Sequence, residues 1–220
     1  MSGAEPTLGW LAPDVAAELP GLELLVAEAE HARPQPLTGA SPPEVRERLR
    51  ELSNRVRGAR AVSIRREPVP AAYRVFFQQI GLDPDPACTP IEAAVMERML
   101  NGGFLTSGLL EDVLLIALID TGVPVWALDA EAVEGALGIR TSATGERLGR
   151  DPRAPELAAG QLVVADSSTP QAVLFGELAP GHRPHARTRR LVLFAVRVAG
   201  VPALYAEEAL WTSRSALELP

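Results

Sequence analysis

The 220-residue chain is 47% hydrophobic and 22% charged, the composition of an ordinary soluble globular protein long enough to enclose a core without disulfides or a structural metal. A formal net charge of −7 excludes a broad basic surface for sequence-independent nucleic-acid binding, although a local basic patch stays open. All 21 basic residues are Arg, which removes Schiff-base and P-loop lysine chemistry, and the single Cys88 excludes an internal disulfide and a cysteine-based zinc site.

Residues 1–9 read as a flexible N-terminal tail, and residues 10–220 as a single domain. The segment from Ala12 predicts a short helix stopped by Pro20 and Gly21, and Leu22–Ala29 predicts a strand. After a loop rich in Pro and Gly over 31–42, Ser41-Pro-Pro-Glu44 predicts a helix start, with Ser41 as cap. That helix runs through Arg57 and places Val45, Leu49, Leu52 and Val56 on one face. Its other face carries five arginines among three glutamates, read either as a partner-facing surface or as a solvated face with pairs Glu47–Arg50 and Glu51–Arg55.

A helix over Pro70–Ile80 is expected to bury Tyr73, Phe76, Phe77 and Ile80 and to end at Gly81. Thr89-Pro-Ile-Glu92 is a capping-box start for a helix to about Leu100. Leu109–Thr121 is apolar enough to be a central helix, closed by Gly122 and Pro124. Strands are then expected at 125–128, 137–141, 161–166, 172–178 and 190–198, followed by a helix over 202–219 with Leu204, Ala209, Trp211 and Leu217 as core candidates. The polar, Pro-containing loop 147–159 reads as a mobile insertion. Helices first and strands later predict an α+β fold.

Several phrases over Tyr73–Glu146 recur in a known order. Gly81-Leu-Asp-Pro84 ends an aromatic-rich helix, Gly122, Pro124 and Asp129 form a turn pattern, and Arg140, Gly145 and Glu146 follow. Thr188, Arg189 and Arg190 come later, before a strand. The chain resembles the free-standing relatives of the B3/B4 domain of the phenylalanyl-tRNA synthetase β subunit. The resemblance implies a layered β/β/α arrangement, a mainly antiparallel or mixed sheet flanked by helices, and tRNA or aminoacyl-tRNA as partner.

In the synthetase this domain hydrolyses mischarged tyrosyl-tRNA with a pocket built from a Thr-Asn pair and a His. Alignment on Asp112, Gly122, Pro124 and Asp129 puts Leu114 and Leu115 at the Thr-Asn positions and Trp126 at the His position. Leucine cannot hydrogen-bond a phenolic hydroxyl or an attacking water, and tryptophan only donates. Tyrosine-type editing is therefore not expected. Two versions of the pocket stay open: an apolar site lined by Asp112, Leu114, Leu115, Trp126, Arg140 and Glu146, or one filled in as core. The first would suit a small-molecule protein or enzyme on the same scaffold, and whether any deacylase chemistry remains is open; Glu111, Asp112 and Glu146 are the carboxylates to consider, Asp112 also as a loop anchor.

The segment Gly181–Arg190 concentrates two His and four Arg. His182 and His185 alone do not make a metal site, and neither a metal nor a cofactor is expected. Arg183, His185, Arg187, Thr188, Arg189 and Arg190 are instead candidates for RNA contact, because guanidinium forks match phosphate geometry. No apolar run reaches membrane-spanning length (the longest is 113–119) and no signal peptide is apparent, so a cytoplasmic protein without membrane or DNA partners is expected.

Overall fold

In the computed structural model, which describes residues 5–218, the chain enters a sheet almost at once. Thr7–Leu8 (β1), inside the stretch expected to be a tail, pair antiparallel with Val26 and Leu25; Met1–Ala4 of that stretch lie outside the described residues. Trp10–Leu11 (β2) turn into a different sheet, and Pro13–Glu18 (α1) precede the long strand Glu23–Glu30 (β3). The helical half comprises Pro43–Arg55 (α2), Ala59–Ser63 (α3), Pro68–Gln79 (α4), Pro90–Asn101 (α5) and Leu109–Thr121 (α6). Then come Val125–Asp129 (β4), Gly138–Thr141 (β5), Leu162–Ala165 (β6), Pro170–Val173 (β7), Arg190–Arg197 (β8) and Ala203–Glu218 (α7). Leu219, expected at the end of the last helix, lies outside the described residues.

The fold is α+β, with two mostly antiparallel sheets and seven α-helices among the described residues. One sheet has the order β1-β3-β8-β4, antiparallel throughout; the other has the order β2-β5-β6-β7, with β2 parallel to β5. Side-chain alternation gives the first sheet two apolar faces. Helix α7 packs against β3 and β8 on one face, where Ala27, Leu210 and Trp211 line a common hollow, and the register places Leu193 beside Ala27. Phe194, paired with both Val26 and Trp126, belongs to the opposite face. There Phe175, just past β7 of the second sheet, packs its ring on Trp126. The first sheet is thus covered by helix on one side and by the second sheet on the other. α7 packs in turn on α6, and α6 on α2.

Helix α2 buries Val45, Leu49 and Leu52, with Val56 just beyond its end, as its spacing predicts; each such side chain contributes about 1.5–3 kcal/mol. Its cap differs from expectation. Pro42 occupies the N-cap without a side-chain bond, and the Ser41 hydroxyl instead donates to Asp112 at 2.5 Å. The arginine face is also partly consumed. Arg48 Nη2 donates to both carboxylate oxygens of Asp120 on α6, at 2.9 and 3.1 Å, and Arg55 joins the same carboxylate, so α2 is stapled to α6. Glu47–Arg50 forms as expected, whereas Glu51 pairs with Arg48 and not with Arg55. At the start of α5, the Glu92 carboxylate accepts from the Thr89 backbone N–H and hydroxyl while also pairing with Arg74.

Two core expectations for the last helix fail: Leu204 and Trp211 are 67% and 68% exposed, while Ala209 and Leu217 are buried. The small Ala206 and Ala209 let α7 lie close to its neighbours, which turns the bulkier positions outward. Loop 147–159 is packed, contrary to the mobile insertion expected. Leu148 and Leu157 form a second small core with Val163, Ala165 and Ala179, and Ala154 is buried within the loop.

The β2–β5 crossing depends on one glycine. Trp10 pairs with Gly138, lays its indole across it and donates from Nε1 to the Ala136 carbonyl at 3.0 Å. A Cβ on Gly138 would meet the indole at 2.0 Å. Gly138→Ala is expected to lower stability by roughly 1–3 kcal/mol, the cost of overpacking, in denaturant unfolding. Stability within 0.5 kcal/mol of wild type would show that the indole is not held there.

Candidate functional site

At the pocket positions the molecule places aromatic rings. Trp126 on β4 stacks on Phe194 of β8, with centroids 5.5 Å apart and planes 11° from parallel. Phe175 then inserts among Trp126, Tyr73, Phe76 and Phe77 at centroid distances of 5.6, 5.7, 5.7 and 5.3 Å. Tyr73 is buried, donates its hydroxyl to the Val196 carbonyl at 2.7 Å, and has its pKa pushed up by that burial. Phe175 is the only described non-glycine residue in the left-handed region, with φ +58°. This backbone state costs about 1–2 kcal/mol in a bulky L-residue, so the ring's packing offsets a local penalty.

Leu114 and Leu115, on α6, are half-buried and pack against the main core. Surface cavities of about 380–540 Å³ occur elsewhere, and neither these leucines nor Trp126, Asp112, Arg140 or Glu146 line them.

The carboxylate candidates are separated. Asp112 is buried at the first turn of α6, accepting from the Ser41 hydroxyl and from the Ser107 N–H at 2.9 Å. It ties down the loops on either side, the anchor role open in the sequence. Glu146 sits beyond β5, gripped by both Arg140 nitrogens at 2.8 and 2.5 Å and by the Ala143 N–H at 2.8 Å. The Arg140 hydrogen bonds, outweighing the opposing effect of burial, hold the Glu146 carboxyl below the usual range. Arg140 and Glu146 thus satisfy each other, and among the described residues no hydrogen bond or ion pair joins them to Asp112.

The basic segment divides into anchors and free arms. Thr188 is buried: its hydroxyl donates to Asp129 at 2.5 Å and accepts from the His185 N–H at 3.1 Å. His185 Nε2 lies 3.4 Å from the same carboxylate. Arg189 donates to the carbonyls of Arg33 and His31 at 3.2 and 3.5 Å, and Arg190 lies 4.0 Å from Glu28. Arg183 and Arg187 are exposed, and no carboxylate pairs with either among the described residues.

A second loop joins them. Gly149 is bonded from its N–H to the Pro170 carbonyl, and a Cβ there would meet Ala179 at 2.8 Å and His182 Nε2 at 3.6 Å. Arg150, paired with Glu134, therefore stands beside the 180–188 loop, close enough for its charge to act on His182. Three carboxylates there are bonded within the fold: Asp129 to Thr188, Asp166 to backbone N–H groups and Glu134 to Arg150. Arg183 and Arg187 are exposed and make no ion pair among the described residues.

A buried polar chain fixes this surface. The Gln171 amide donates to Asp166 at 2.7 Å, and its carbonyl oxygen bonds His182 Nδ1. For Asp166, burial raises the carboxyl's pKa, but bonds from the Glu134, Thr169 and Ser168 N–H groups and the Ser168 hydroxyl bring it below the usual range. For His182, burial and then the Arg150 charge lower the imidazole below its usual 6.5, against the pull of Asp166. With the folded value lowered, the unfolded chain takes up the proton first. Stability contributed by neutral His182 is present above pH 6.5 and is lost as pH falls toward the folded value. The unfolding free energy is therefore expected to fall below that pH with a slope of at most ~1.4 kcal/mol per pH unit from this group, and His182→Gln flattens it. An identical slope in the variant would contradict the assignment.

Phe175, Arg150 and Gln171 were not among the residues the sequence singled out. Phe175 had a readable signal: a Phe-Gly step inside an apparent strand marks a turn, and the strand expected over 172–178 in fact ends at Val173. Among the described residues, no group of three or more His, Cys, Asp or Glu is placed to hold a metal ion, and no helix is long and apolar enough to cross a membrane.

No protein-family model matches the chain. Over 94 residues, 42% of its length, it is 34% identical to the phenylalanine–tRNA ligase beta subunit of Xanthomonas oryzae pv. oryzae. Over the same length it is 33% identical to the corresponding subunits of Xanthomonas campestris pv. campestris and Xanthomonas euvesicatoria pv. vesicatoria. The chain covers about 12% of the length of these relatives.

Proposed function

We propose that this is a cytoplasmic, B3/B4-like tRNA-binding protein, one domain from residue 10 onward, that engages tRNA or aminoacyl-tRNA and leaves the aminoacyl ester intact. The observation that carries the reading is the 34% identity over 94 residues to a phenylalanine–tRNA ligase beta subunit. The order of layers, helix on sheet on sheet, agrees with it. The contact surface is the 181–190 loop presenting Arg183 and Arg187, which make no ion pair among the described residues and so keep their guanidinium forks available to phosphates. Thr188, Arg189 and His185 hold that surface in place from behind.

Ester hydrolysis is left out because the pocket positions carry no general base. Leu114 and Leu115 are apolar, Phe175 fills the space beside Trp126, and Asp112 and Glu146 are each bonded elsewhere. Filter binding of charged and uncharged tRNA at low salt tests the proposal. Association at micromolar protein, weakening steeply with salt, is expected; no binding of either species would overturn it.

A further inference from the structure

The outward face of α7 offers a second surface, remote in character from the arginine loop. A groove of about 540 Å³ runs along it, lined by Ala27 and Leu210 at the floor and by Leu204 and Trp211 at the sides. Leu204 and Trp211 are each about two-thirds exposed, although a soluble protein gains nothing by displaying an indole to water. Acidic groups rim the groove: Glu5, Glu207, Glu208 and Glu218. Arg214, the one basic residue lining the groove, donates from Nε to Glu218 at 2.7 Å, so four carboxylates surround a single guanidinium. A neighbouring hollow of about 410 Å³ shares Glu5, Ala27 and Arg214, and extends the trough past β1 to Leu8, 70% exposed, and Glu28.

We infer that this trough is the docking site for a basic amphipathic helix of a partner protein. The shape fits: α7 spans 16 residues, about 24 Å, which matches a partner helix of four turns laid alongside it. The chemistry selects the occupant. An apolar stripe on the incoming helix covers the exposed Leu204 and Trp211, while Arg or Lys on its flanks meets Glu207, Glu208 and Glu5. Trp211 serves twice, as an aromatic anchor and as a ring face for a cation. An acidic or neutral helix would gain the apolar contact and leave the carboxylates unanswered, so charge supplies the specificity.

The test is calorimetric titration of the full chain with a synthetic ~16-residue amphipathic Leu/Arg helix and with a twin whose arginines are glutamates. Micromolar binding of the Arg peptide is expected, with the Glu peptide at least about tenfold weaker. Trp211→Ala and the double change Glu207→Gln/Glu208→Gln should each weaken the Arg peptide about tenfold, whereas Glu97→Gln on α5 should not. All four sites are exposed, so the variants should fold, and circular dichroism checks this. Equal binding of both peptides, or indifference to the α7 substitutions, would overturn the inference. So would self-association of the protein alone that Trp211→Ala abolishes, since the occupant would then be a second copy. Arg183 and Arg187 play no part, so tRNA binding can fail while this result stands.

Discussion

Phe175→Ala should destabilise the protein by about 3 kcal/mol, the low end of the range for Phe-to-Ala changes in cores because the ring is only half-buried. The loss comes from removing a ring that touches four aromatic neighbours at 5.3–5.7 Å. Alanine keeps the left-handed backbone cost at φ +58°, so Phe175→Gly should be less harmful by about 1 kcal/mol. The vacated space is bounded by Trp126, Tyr73, Phe76 and Phe77 and should stay apolar. Indole or benzene should therefore raise the melting temperature of Phe175→Ala and leave wild type unmoved. A variant as stable as wild type, or one blind to both probes, would show that Phe175 does not fill the pocket.

The second large effect is expected on RNA. In Arg183→Glu/Arg187→Glu the altered side chains make no ion pair among the described residues, so unfolding stability should change by less than ~0.5 kcal/mol. Binding of tRNA should weaken at least roughly tenfold at low salt, and the dependence of log affinity on log salt should flatten by about 1.5–2, as two phosphate contacts are lost. Thr188→Ala should behave differently. Its hydroxyl serves Asp129 and the His185 backbone, so that change costs stability as well as binding. Unchanged affinity and slope in the double variant would move the interface away from this loop.

Much of the framework was legible because local chemistry decides it. Thr89-Pro-Ile-Glu92 starts a helix through contacts within four residues, and the spacing of Val45, Leu49, Leu52 and Val56 declares the buried face of α2. The α+β class and the apolar character of α6 followed from the same kind of signal. What escaped depends on long-range partners. Ser41 looks like a cap until Asp112, 71 residues away, takes its hydroxyl. Arg48 and Arg55 look solvated until α6 brings Asp120 to them.

Trp211 and Leu204 look like core by residue type, yet the helix turns its alanines inward. In the basic segment, six residues resemble one patch by composition. The fold assigns Thr188 and Arg189 to anchoring and leaves Arg183 and Arg187 free, a division only tertiary contacts make.

The central claim is binding without hydrolysis, and a single incubation reads both. Tyrosyl-tRNA is mixed with excess protein at low salt, and the fraction retained on a filter is followed beside the fraction still acid-precipitable as ester. The account predicts retention at micromolar protein with ester decay at the rate seen without protein. Protein-dependent loss of the ester, or ester left intact only because no tRNA is retained, would contradict it.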